Sequence, residues 1–229
     1  MGHRIDPANG CTLPTDGAEH IAAAIAPEVD AFRALLTGLP DRRAGIRLSG
    51  RRDLEALVHP GRSAAIRRLP GFSDLTRPVR AICFDKSAAI NWSLAWHQDR
   101  TICVKHRREA PGFGPWTVKA GMLHVAPPIA VLEHMLTVRF HLDDVDADNA
   151  PLLIAPGSHR CGRIPEDQID AVVARFGIRA CHAMAGDAWV YSTPILHASQ
   201  AARIPHRRRV LQIDYADFDL PCGLEWSGI

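Results

Sequence analysis

Lysine is nearly missing from these 229 residues. Lys86, Lys105 and Lys119 are the only lysines among 27 basic side chains, and arginine supplies the rest. Against 25 acidic residues the formal net charge is only +2. A chain this close to neutral carries no overall field that calls for nucleic acid or an anionic membrane surface. The one basic run, "RIPHRRR" at 203–209, is too short to argue otherwise. Cysteine is present six times, yet no pair has CxxC spacing, which argues against a cysteine zinc site. The cysteines are too scattered for a disulfide framework, so reduced thiols in a cytoplasm are expected. No run approaches the roughly 20 apolar residues of a membrane helix. The first ten residues, "MGHRIDPANG", lack the apolar centre of a signal peptide. Repeats and low-complexity linkers are absent too.

What is there is a chain of 47% hydrophobic residues, enough for one sizeable core. A single domain over 1–229 is expected, with a helical N-terminal flank at 1–75 and a β-rich core at 76–229. Residues 17–38 carry apolar side chains at three and four spacing, a helical pattern interrupted at Pro27. "RRDLEALV" and "RSAAIRR" suggest further short helices. Beyond residue 78 the runs shorten into strand candidates: "VRAICF", "NWSLAWH", "TICVK", "MLTVRFHL", "LLIAP", "DAWVYS", "ILHAS" and "RRVLQIDY". Turn formers such as "PGFG", "DDVDADNAP" and "MAGD" separate several of them. "PEDQIDAVVARFG" at 165–177 reads as a helix with an acidic first turn and Gly177 near its end. Helices first and many short strands after predict a mainly β fold, a sandwich or barrel with a helical flank.

Side chains alternate faces along a strand, so parity separates lining from core. In 136–143 Leu136, Val138, Phe140 and Leu142 share one face, and Thr137, Arg139, His141 and Asp143 the other. In 208–215 Arg208, Val210, Gln212 and Asp214 oppose Arg209, Leu211, Ile213 and Tyr215. In 91–99 Asn91, Ser93, Ala95, His97 and Asp99 oppose Trp92, Leu94 and Trp96. Polar faces of a two-layer protein can simply meet water. Small residues beside His97 favour the alternative, polar faces that line a ligand cavity.

His97 and Asp99 are two apart on one strand face, roughly 6–7 Å at Cα. An imidazole nitrogen and a carboxylate oxygen so placed can converge on one metal ion. A third ligand must come from elsewhere, and neutral imidazole is the commonest donor. Two histidines and one carboxylate form the facial triad of non-haem iron(II), which leaves positions open for co-substrate and dioxygen; zinc prefers a tetrahedron. His197 in "PILHASQ" is the candidate third ligand, with Ser199 on the same face. A hairpin turning around 201–206 is expected to bring Arg208 beside Ser199. A guanidinium fork and a hydroxyl would together hold a carboxylate. Spacing and parity favour Arg208 over its neighbour Arg209.

"WHQD", "LDDVDADNAPLLIAPGSHR" and "LHASQAARIPHRRRVLQIDY" resemble the phytanoyl-CoA dioxygenase family, from about residue 78 to the C-terminus. The resemblance implies a double-stranded β-helix, a jelly-roll of cupin type, that uses Fe(II), 2-oxoglutarate as co-substrate and O2. It implies His97, Asp99 and His197 as iron ligands and Arg208 as the partner of the distal 2-oxoglutarate carboxylate. Ser199 is the candidate second donor there, and Asn91 and Thr137 are candidates for the other end of the co-substrate. "FGPWTVKAG" resembles bacterial members near their substrate opening, which makes Lys119, Trp116 and Arg139 substrate candidates. The expected activity is oxidation, hydroxylation first, of a small or mid-sized metabolite with release of succinate and CO2. An intact Asp99 occupies the position a halide would need. Two alternatives remain: a cupin-like metal enzyme without 2-oxoglutarate, which gives Arg208 no role, and a non-catalytic binding module. His124, His134, His141 and His159 read as structural. "PGSHR" reads as a turn that closes a strand. Oligomeric state is not legible.

Overall fold

The alternating run that begins at Leu136 becomes the middle of a six-stranded sheet, and its parity decides which side of that sheet is greasy. A computed structural model describes residues 5–40 and 43–229; residues 1–4, part of the N-terminal stretch weighed above as a leader, and 41–42 lie outside it. The strands in chain order are β1 (Ile5–Pro7), β2 (Ala18–Ile21), β3 (Ile46–Leu48), β4 (Arg77–Lys86), β5 (Leu94–His97), β6 (Ile102–Cys103) and β7 (Trp116–Lys119). There follow β8 (Met122–Val125), β9 (Leu136–His141), β10 (Leu152–Ile154), β11 (Ile178–Cys181), β12 (Ala188–Ser192), β13 (His197–Ser199) and β14 (Arg208–Ala216). Helices are short: α1 (Leu13–Asp16), α2 (Val29–Leu35), α3 (Arg52–Val58), α4 (Ala64–Arg67), α5 (Ile129–Glu133) and α6 (Ile169–Phe176). Among the described residues no helix is long and apolar enough to cross a membrane.

The large sheet runs β2-β12-β9-β14-β4-β3 with antiparallel pairing throughout. A second sheet, β1-β11-β10-β13-β5, faces it, and β6-β8-β7 forms a small third sheet. This is the mainly β, jelly-roll architecture expected from the alternation. The outer face of the large sheet carries Ala81, Cys83, Val138, Phe140, Val190, Leu211 and Ile213, all buried against Phe32, Leu54, Val58 and Ile66 from the helices. Burial of a Leu, Ile or Phe side chain contributes about 1.5–3 kcal/mol, so this layer is the main store of stability. On the far side α6 covers the second sheet with Ile169 and Val173. Gly177, at φ +75°, ends that helix in a conformation an L side chain rarely adopts. Between the sheets one end is filled by Leu152, Ile154, Trp189, Tyr191 and Ile195. The other end is open.

Two expectations need correction. Residues 18–21, read as helix, form β2 and pair with β12. Gly17 at φ +76° caps α1 after one turn, and the sheet edge then claims residues whose local preference was helical. The N-terminal 1–75 therefore lends β1, β2 and β3 to the sheets as well as four helices. The hairpin expected between 197–199 and 208 does not form: β13 belongs to the second sheet and β14 to the large one. The intervening residues cross from one layer to the other.

Candidate metal centre and co-substrate chamber

β5 and β13 pair antiparallel with His97 directly opposite His197, which closes a separation of a hundred residues in one register step. The register shifts between His197 and Ser199, an irregularity of the kind that re-aims side chains beside a site. Asp99 follows two residues after His97, just beyond the end of β5. One ligating atom each from His97, Asp99 and His197 lies within 4.8 Å of the others. Both imidazoles are pinned by their own strands: Nδ1 of His97 is 2.8 Å from the Ala95 carbonyl, and Nδ1 of His197 is 3.0 Å from that of Ile195. A carbonyl only accepts, so Nδ1 carries the proton and the Nε2 lone pair is left for a metal. Burial, reinforced by His97, pushes the His197 imidazole down to about 4 and keeps it neutral. Burial pushes the Asp99 carboxyl up, but Arg80 and the two histidines outweigh it and hold it below its ordinary value. Asp99 Oδ2 is buried and accepts no hydrogen bond. Two imidazoles with Nδ1 tied to strand carbonyls and an ionised carboxylate suit an octahedral, oxygen-tolerant cation such as Fe(II).

Three side chains other than the triad brace this centre. Arg80 on β4 reaches Asp99 Oδ2 at 3.4 Å and Asp214 Oδ2 at 2.5 Å, so one buried guanidinium orients the ligand carboxylate from behind. Gln98 bonds the carbonyls of Gly162 and Pro194 and accepts from the Ile164 amide, stapling the end of β5 to two loops. Ser158 of "PGSHR" bonds the Ala155 carbonyl and accepts from the Leu196 amide, which fixes the residue before His197. That segment follows β10 as the turn reading expected; its bracing of residue 196 was not foreseen.

The triad opens onto a cavity of about 770 Å³ between the sheets, within the range of small-molecule sites. The phytanoyl-CoA dioxygenase (PhyH) family model matches residues 15–210. The chain belongs to the phytanoyl-CoA dioxygenase family. No curated protein matches it. Among solved structures it is similar to the non-heme alpha ketoglutarate dependent epimerase SnoN from nogalamycin biosynthesis, at 18% identity and TM-score 0.61 over 90% of this chain and 78% of SnoN. A further SnoN structure holds Fe3+, alpha ketoglutarate and nogalamycin RO. The carbocyclase SnoK of the same biosynthesis gives 17% identity and TM-score 0.60, covering 99% and 90% of the two chains. EctD from S. alaskensis gives 16% and 0.59, covering 94% and 83%. At these identities the likeness establishes the shared double-stranded β-helix. Family membership makes the chain an Fe(II)/2-oxoglutarate-dependent oxygenase, with Fe(II), 2-oxoglutarate and O2 as its cofactor and co-substrates.

The deep end of the cavity is cationic. Arg208 is 1% exposed; its Nη1 donates to the Ala150 carbonyl, while Nε and Nη2 have no partner among the described residues. Ser199 Oγ lies 3.5 Å from the same carbonyl, so Ser199 and Arg208 meet there across the two sheets without the hairpin. Arg209, the alternative, turns outward into a two-pronged ion pair with Asp143 at 2.7 and 2.9 Å. Lys86, the cross-strand partner of Arg208, is equally buried and donates to Ser199 Oγ at 3.0 Å and the Gln200 carbonyl at 2.8 Å. Burial, then Arg208 and Arg139, pushes Lys86 down to about 7; burial, then Arg139, pushes Arg208 down to about 9. Among the described residues no carboxylate ion-pairs with either cation. Two buried cations without an acid are costly, and an anion entering the chamber relieves that cost.

Other candidates fall differently. Arg139 lines the cavity with its guanidinium 5.2 Å over the Phe84 ring and its Nε unpartnered among the described residues; it pairs with neither Asp143 nor Asp214. Lys119 stands at the cavity mouth. Asn91 is exposed and exchanges two hydrogen bonds with the Ala202 backbone, outside the lining. Thr137 is fully buried behind it, bonded to Thr193 and Asp214, where it steadies the partner of Arg80. Trp116 packs against the core cluster around Val125 and Leu132. Trp92 and Trp96, assigned by parity to the opposite face from His97, also line the cavity; Trp92 precedes the strand, which begins at Leu94, while Trp96 lies within it and contributes to the lining beside His97. Sequence reasoning missed Arg80, Lys86 and Arg47. Their signal was a charged residue on one parity of an otherwise apolar strand.

Proposed function

We propose that this oxygenase hydroxylates a small or mid-sized metabolite, with His97, Asp99 and His197 holding Fe(II). The observation that carries the reading is the meeting of those three ligating groups within 4.8 Å, two of them with their tautomer fixed by strand carbonyls. When bound, Fe(II) with 2-oxoglutarate and O2 supplies the oxidising power to place oxygen on a substrate carbon, with succinate and CO2 released. The protein's part is to bind and orient. Arg208 and Ser199 hold the distal carboxylate of 2-oxoglutarate, and Lys86 adds a second positive charge through Ser199. Arg80 keeps Asp99 ionised and aimed. Arg139 and Lys119 face the substrate space, and the aromatic wall of Phe84, Trp92 and Trp96 keeps bulk water from it. SnoN is an epimerase and SnoK a carbocyclase, so this fold hosts other outcomes, which the pose of the substrate C–H bond decides. Residues 1–229 act as one domain in this reading. The unbridged thiols, Cys83, Cys103 and Cys181 buried among them, suit a reducing cytoplasm.

The test is spectroscopic and then analytical. Anaerobic addition of 2-oxoglutarate to the Fe(II)-loaded protein is expected to give the weak visible charge-transfer band of the chelate, and Asp99→Ala to lose it. A succinate-release screen across metabolites, with product mass, then separates hydroxylation from epimerisation or ring closure. A wild-type protein that takes up iron but never shows the band would refute the assignment.

A further inference from the structure

The charges that line the cavity do not cancel. Arg80 is matched by Asp214, and Arg100 by Glu166 at 3.3 Å. Asp99 is committed to the metal and Arg208 to the co-substrate, on the reading proposed above. Arg139 also has no acidic partner among the described residues, but its guanidinium lies over the Phe84 ring. The other lining cations left are Arg47 and Lys119, and the one lining carboxylate not yet assigned is Asp170, exposed in the first turn of α6. Arg47 sits on β3 opposite Ile82, whose side chain shares the cavity face, and its Nε is buried with no hydrogen-bond partner among the described residues. Lys119 ends β7 in the small sheet, and among the described residues no carboxylate ion-pairs with it or with Arg47. Two elements far apart in sequence thus bring uncompensated cations to one opening. Both are near enough to the buried His124 to help Arg80 and its burial keep that imidazole neutral. A buried guanidinium nitrogen left without an acceptor is a cost that folding does not recover. The apolar part of the same wall is Phe84, Trp92, Trp96 and Leu94, the last 41% exposed.

We infer that the primary substrate carries an acid group, carboxylate or phosphate, which Arg47 and Lys119 hold at the cavity mouth, while an apolar body lies along Phe84, Trp92 and Trp96 towards the triad. This inference rests on the proposed metal centre and adds the substrate class to it. A guanidinium fork and an ammonium together match the oxygens of either acid, and neither is matched by a neutral amide.

The experiment uses three probes of equal apolar body: phenylacetate, benzyl phosphate and phenylacetamide. Each is titrated calorimetrically, without oxygen, into protein loaded with Fe(II) and 2-oxoglutarate. At least one acid is expected to bind about tenfold or more tightly than the amide, the equivalent of one charge-assisted contact. Whichever acid prevails names the acid class. In Arg47→Gln/Lys119→Gln the preference disappears, and in Lys119→Gln alone, an exposed position, it shrinks. An amide that binds as well as both acids, a preference that survives in the double variant, or no binding of any probe to a loaded protein overturns the inference and leaves the metal centre standing. A wild-type protein that does not load with Fe(II) and 2-oxoglutarate sinks the metal centre and this inference with it.

Discussion

The two faces of the large sheet are built from the same strands and do opposite things. Along β9 the outer side chains Val138 and Phe140 join the greasy layer under the helices, while Thr137, Arg139 and His141 point inward. Along β14 Leu211 and Ile213 go out, and Arg208, Gln212 and Asp214 go in. Every one of these residues is buried, yet the polar groups on the outer face of β14 are paired, Tyr215 with the Val58 carbonyl and Arg209 with Asp143, while the inner face leaves several unsatisfied. His141 has both ring nitrogens without partners, Arg208 two nitrogens and Arg139 one, among the described residues. Stability and ligand affinity have thus been separated by parity. The inner face is a standing cost that the outer face offsets, and it is recovered when ligands arrive.

That contrast can be broken in order of size. Phe140→Ala on the outer face is expected to lower unfolding stability by about 3–5 kcal/mol in urea melts, leaving the chelate band intact in the folded fraction. Arg208→Met on the inner face should weaken 2-oxoglutarate by about 2–5 kcal/mol, roughly 30-fold or more by calorimetry. The apo protein should keep its melting temperature or gain, because an apolar side chain replaces a buried, partly unsatisfied cation. A large loss of apo stability would show that Arg208 serves the fold.

Lys86 sharpens the same point through pH. Its folded value is pushed down to about 7 from an ordinary 10.5, so between those limits the unfolded chain binds the extra proton. Apo stability contributed by this group therefore rises as pH climbs from about 7 towards 10. A carboxylate in the chamber favours protonated Lys86, so 2-oxoglutarate affinity should fall above pH 7, by at most about tenfold per pH unit for one coupled proton. Lys86→Met should flatten both slopes; slopes that persist would place the titrating group elsewhere. The smallest effect is expected from Thr137→Val, which removes one donor to Asp214 and should cost about 1 kcal/mol of stability, read by denaturant melts.

Much of this was legible in the sequence because parity and motif order are local or nearly so. The inward set on β9 and β14 followed from alternation alone. His97, Asp99 and His197 could be paired because metal chemistry demands a third donor and "LHAS" offered one on a strand. Layer membership was not legible. Nothing local distinguishes a hairpin at 197–208 from a chain that crosses between sheets, and the crossing is set by the pairing of β14 with both β4 and β9. β2 was hidden because its alanine-rich context favours helix and only the edge of β12 makes it a strand. Arg80, Lys86 and Arg47 were visible as lone charges in apolar runs. The partners of Arg80 and Lys86 come from other parts of the chain, and the cavity that Arg47 lines is built from several strands, so their roles appeared only with the registers. Asn91 shared parity with His97 but precedes the strand, and its amide was taken by the Ala202 backbone.

The most direct measurement is the iron content of the protein after anaerobic loading with Fe(II) and 2-oxoglutarate and gel filtration, compared with His97→Ala, Asp99→Ala and His197→Ala. The account predicts one tightly held iron in the wild type and little retained in each variant. Undiminished iron in any one of the three would contradict a centre built from all of them.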